Sequence, residues 1–112
     1  MTNYNVPAGH VGVHEKVLGP DVEDSVTFLL GSVSTPGWAG LPKQVEILTD
    51  GAADIYVTTD GSAPTVAGTN CFRVPPLPGS TTVTVPAPDA GQPALVKLIS
   101  SGAPTYSVSR AV

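Results

Sequence analysis

Turn residues punctuate this chain at intervals of about 8–12 positions, the rhythm of a β-sandwich or β-barrel. Twelve glycines and twelve prolines are scattered through 112 residues, between short apolar runs. The runs are rich in valine and threonine, whose β-branched side chains suit a pleated sheet better than a helix. No stretch sustains the roughly 3.6-residue period of an amphipathic helix. An all-β fold follows. Without helices to carry crossovers, neighbouring strands are expected to pair antiparallel.

About eight strands are expected, over residues 10–17, 25–33, 44–49, 54–59, 69–74, 81–85, 94–100 and 105–110. Several alternate cleanly: Val26, Phe28 and Leu30 share one face, as do Val45 and Ile47, and Ile55 and Val57. Asp50-Gly51 reads as a hairpin turn. The predicted architecture is an antiparallel, immunoglobulin-like β-sandwich. It consists of an extended N-terminal arm over residues 1–9 and a single sandwich domain over residues 10–112.

The charge balance narrows the partners. The net charge is −4, only five residues are lysine or arginine, and only 12% of the chain is charged. Displacing counterions from phosphates needs clustered cations, and none cluster here, so no nucleic-acid partner is expected. Anionic membrane surfaces are disfavoured for the same reason. No apolar run approaches the ~20 residues of a membrane span. The first residues have neither a basic segment nor an apolar one, so they do not read as a signal peptide. The expectation is a soluble protein made in a cytoplasm. The single cysteine, Cys71, has no intrachain disulfide partner and reads as a small buried hydrophobe.

Few residues invite chemistry. His10 and His14 would share one face of a strand, but i and i+4 lie about 13 Å apart there, too far to hold one ion. They read as polar residues at a contact surface. Asp21, Glu23 and Asp24 lack the spacing and the glycine of a calcium loop and read as a solvated acidic turn. There is no Gly-x-Ser-x-Gly elbow, and Asp50, Asp60 and Asp89 sit at turns, where backbone hydrogen bonding explains them. No catalytic, metal-binding or cofactor-binding role is expected. Trp38, in the loop over residues 34–42, is either folded back on the core or offered to a partner, as indoles often are at interfaces.

Two resemblances add to this. The run from Ile55 to Thr65 contains Tyr56, Thr58, Asp60, Gly61, Ser62, Pro64 and Thr65. It resembles the Tyr-x-Thr-x-Asp-Gly-Ser-x-Pro-Thr turn of chitobiase C-terminal-like domains, which are immunoglobulin-like sandwiches. It covers about a tenth of the chain and has a structural cause, a strand end, an Asp-Gly turn and a proline exit. More broadly, three blocks resemble small virion proteins of tailed phages that infect actinobacteria. They are residues 5–16, the Asp60–Thr65 turn and residues 96–108.

That second likeness implies a virion context without specifying the part of the particle, and the leading expectation within it is a capsid decoration (cement) protein on the capsid exterior. It would bind the major capsid protein through its arm and stabilise the shell, as a homo-oligomer, with a trimer favoured. The candidate contacts are Tyr4, Val6, Pro7, His10, His14 and Trp38, while Asp60, Gly61, Ser62 and Pro64 form a structural turn. One alternative is a tail or baseplate accessory that binds host carbohydrate, with Trp38, Tyr56 and Tyr106 as a shared platform. Another is a head–tail joining component.

Overall fold

In a computed structural model, residues 2–7, 10–29, 43–86 and 92–111 are described. These form nine strands, and no helix occurs among them. The strands are β1 (Thr2–Val6), β2 (Gly12–Val17), β3 (Asp24–Phe28), β4 (Gln44–Thr49), β5 (Ile55–Thr58), β6 (Phe72–Val74), β7 (Gly79–Thr84), β8 (Ala94–Ile99) and β9 (Thr105–Ala111). They build a five-stranded sheet, β1-β3-β8-β5-β6, and a four-stranded sheet, β2-β9-β4-β7. The two sheets stack as a sandwich.

The alternation read from the sequence is what buries the core. Every second residue of β4 and β8 is buried. Val26, Phe28, Ile55, Val57, Val96 and Leu98 of the first sheet meet Val45, Ile47, Val83, Tyr106 and Val108 of the second. Burying each such side chain contributes about 1.5–3 kcal/mol.

Three expectations are corrected. The N-terminal arm is extended, but it is laid against its own sandwich as β1, and Val6 is a core residue only 1% exposed. β1 also pairs with β3 in parallel, unlike every other ladder. A parallel pair needs a crossover, and here the chain supplies it by passing β2 into the opposite sheet before β3 returns. Cys71 lies just before β6 and is half-buried, with its Sγ 3.6 Å from the Thr65 carbonyl oxygen. Part of the expected 25–33 strand, including Leu30, lies outside the described residues, as does Trp38.

The acidic turn is also not wholly solvated. Asp24 begins β3, is 3% exposed, and accepts a hydrogen bond from the Tyr106 hydroxyl at 2.8 Å. Tyr106 is 1% exposed, so this bond links the two sheets through the interior. Glu23 is half-buried and pairs with Lys97 at 3.5 Å.

The turn after β5 is built as its sequence suggests. Asp60 accepts from the N–H and the hydroxyl of Ser62, which holds its carboxyl below the usual carboxylate range. Thr58, itself buried, donates its hydroxyl to the Ser62 carbonyl at 2.6 Å, and Pro64 is buried behind it. Gly61 sits at φ +87 with open space where a Cβ would be. Gly61→Ala is therefore expected to cost only the left-handed strain, about 1–2 kcal/mol. Chemical denaturation would measure it, and a cost above roughly 3 kcal/mol would mean that the position has steric neighbours after all.

Candidate partner-binding surface

The register gives the sandwich two ends. β1 and β3 finish at an upper end, where β2 and β4 begin and β9 finishes. The chain crosses between sheets there, so Pro7, His10, Val11 and Leu29 gather around it. The Val6 carbonyl accepts from the Leu29 N–H at 2.9 Å. The Pro7 carbonyl accepts from the His10 N–H, which turns the chain toward β2. The Val11 carbonyl accepts from the Arg110 N–H, and the His10 carbonyl accepts from Arg110 Nε at 3.0 Å. Arg110 lies 5.2 Å above the Phe28 ring, tying this end across the two sheets.

The upper end leaves apolar side chains in solvent beside polar ones, as the described chain also does at Val17, Leu48, Phe72 and Leu77. Pro7 and His10 are exposed, Val11 is 47% exposed and Leu29 is 38% exposed. Pro7 and His10 were legible as candidates from the sequence; Val11 and Leu29 were not. Leu29 follows a buried β3, so its sequence pattern reads as a further strand residue.

The other named residues are placed differently. Tyr4 is half-buried on β1, with Lys16 Nζ 5.0 Å from its ring centroid. Val6 is inside and does not reach a partner. His14 is exposed on β2, but the strand is irregular there: Glu15 takes φ +54 and one extra residue enters between Val13 and Lys16. This β-bulge lies beside His14 and changes the alternation of β2 from there on. Moreover β2 starts only at Gly12, so His10 precedes it. Gly12 is close to β9: a Cβ there would meet the Val108 carbonyl oxygen at 2.0 Å.

Comparison with protein-family models, curated proteins and solved structures gives no match. The functional reading therefore stands on the residues themselves.

The aromatic platform considered for carbohydrate does not form as expected. Tyr106 is in the core with its hydroxyl on Asp24. Tyr56 is half-buried on the outer face of β5, and its hydroxyl donates to Asp54 at 3.3 Å. Asp54 is in turn held by Arg73 at 3.0 Å. The two rings thus serve opposite sides of the first sheet.

Proposed function

We propose that this protein is a virion component that decorates a phage capsid, binding the outer surface of the major capsid protein and stabilising the shell. Its immunoglobulin-like class, suggested by the turn after β5, belongs to the same reading. The observation that carries the assignment is the resemblance of three sequence blocks to small phage virion proteins. While residues 96–108 turn at the lower end between β8 and β9, the first of those blocks, residues 5–16, includes Pro7, His10 and Val11 of the upper end. The exposed group there, Pro7, His10, Val11 and Leu29, joins apolar surface to a polar rim, the composition of a contact patch.

The contact differs from a free arm draped over the shell. Residues 2–6 belong to the sandwich, so the patch is presented by a folded end.

Counting copies per virion by quantitative mass spectrometry tests the assignment. Decoration predicts hundreds of copies, whereas a few dozen or fewer would move the protein to the tail or connector. Within the decoration reading, Val11→Asp with Leu29→Asp is expected to weaken binding to purified shells at least tenfold while preserving the circular dichroism spectrum. Unchanged binding would exclude the upper end as the contact.

A further inference from the structure

A sandwich has four edge strands, here β1, β6, β2 and β7. Exposed edges are templates for unwanted pairing, and proteins blunt them with charge, proline, bulges or shortness. Three of these edges are blunted. β6 has three residues, carries Arg73 and runs into Pro75. β2 carries Glu15 and Lys16 and is interrupted by its bulge. β7 follows Pro78, opens on Gly79 at φ +146, and has its Thr84 carbonyl occupied by the Thr59 hydroxyl at 3.2 Å. β1 runs into Pro7 as β6 runs into Pro75, but it has neither a charged residue nor a bulge. Its five residues, Thr-Asn-Tyr-Asn-Val, hold an unbroken register with β3, and none is charged.

The direction of its free backbone groups follows from one bond. The Val6 carbonyl is taken by the Leu29 N–H, so the backbone groups of Val6 face β3. Alternation along a parallel strand turns those of Tyr4 and Thr2 the same way. The N–H and C=O of Asn3 and Asn5 then point away from the sheet, where no strand among the described residues pairs with them.

We propose that β1 pairs antiparallel with β1 of a second copy of this chain, about a two-fold axis at Tyr4. Only that register sets Asn3 of one copy against Asn5 of the other in both directions, so every outward N–H and C=O of both asparagines is satisfied. Tyr4 then faces its own counterpart in the close, non-hydrogen-bonded position, where aromatic pairs stabilise sheets. An isologous contact brings each residue near the axis close to its own copy. β1 carries no charge, so two chains of net charge −4 meet there without opposing like charges along the strand. The two five-stranded sheets become one continuous sheet. This two-fold replaces the trimer expected by analogy, and it does not depend on the virion assignment. A contact this short falls below the roughly 1,000 Å² of a standard interface, so the pair forms at high local concentration.

The test uses the full chain in a Cys71→Ser background. Asn3→Cys and Asn5→Cys are prepared separately, then oxidised mildly alone and as a mixture. Paired Cα atoms in this register lie about 5.5 Å apart, within disulfide reach. The mixture is expected to give at least fivefold more covalent dimer than either variant alone, and no excess overturns the register. Asn5→Pro removes an outward N–H and none that faces β3. It is expected to abolish the dimer seen by sedimentation at millimolar concentration while leaving Tm within a few degrees of the parent. A parent chain that stays monomeric at that concentration overturns the proposal. So does cross-linking of Asn5→Cys to a coat subunit in preference to a second copy when shells are present.

Discussion

Tyr106→Phe is expected to destabilise the fold by about 2–4 kcal/mol, because it leaves the Asp24 carboxylate buried without its donor. For a domain of this size that is a fall in Tm of roughly 10 °C. The loss is coupled: removing Asp24 as well, by Asp24→Ala, should add much less than its cost alone, since the two groups meet at 2.8 Å and form one interaction. Additive costs in the double variant would mean that the bond contributes little. The pair also sets an alkaline limit. Burial first, then the hydrogen bond to Asp24, pushes the Tyr106 hydroxyl well above its ordinary range. A raised folded-state value means that the contribution is complete below about pH 10, where the unfolded tyrosine begins to ionise. It is lost progressively as pH rises above that, at up to about 1.4 kcal/mol per pH unit. Denaturation curves at pH 8, 10 and 11 would show this extra slope in the parent and not in Tyr106→Phe; parallel pH profiles would assign the slope elsewhere.

The second large effect concerns the N-terminus. Deleting residues 1–6 is expected to cost about 3 kcal/mol or more. It removes Val6 from the core, worth about 1.5–3 kcal/mol, and strips the ladder from β3. It also uncovers Val26 and Phe28, the register partners of Tyr4 and Val6, and should promote aggregation. Val6→Ala separates the contributions: it keeps the ladder and should lose about 1–2 kcal/mol. A truncated chain with unchanged Tm would mean that β1 is a detachable arm. The experiment matters for function too, because a truncation that abolishes shell binding would report unfolding unless stability is measured beside it.

The sandwich was readable in advance where the physics is periodic. Residues 44–49 alternate so regularly that their strand and its buried face coincide with expectation, and Asp60-Gly61 makes its turn through local hydrogen bonds that need no tertiary context. What could not be read depends on partners far away in sequence. Thr-Asn-Tyr-Asn-Val looks polar and terminal, and only the unfilled position beside β3 makes it a strand. Asp24 looks like the third acid of a turn, and its burial depends on a tyrosine 82 residues later. The extra residue at Glu15 follows from the close approach of Gly12 to β9 and from a left-handed backbone that no pattern of apolar residues signals. Of the candidate contacts, Pro7, His10 and His14 are exposed and Val6 is buried; an isolated apolar residue near a terminus reads equally as contact or as core.

The course of the first and last strands has a mechanical consequence. Thr2 opens β1 at the lower end, and Ala111 closes β9 at the upper end. Tension between those points runs along the strands, so the rungs joining β1 to β3 and β9 to β2 and β4 must yield together in shear. The Tyr106–Asp24 and Arg110–Phe28 contacts act as pins near opposite ends and oppose sliding of one layer over the other. Force applied sideways at the β6 edge, with only three residue pairs to break, would instead peel the sheet rung by rung. The fold is built to resist stretching along its axis far better than prying at that corner.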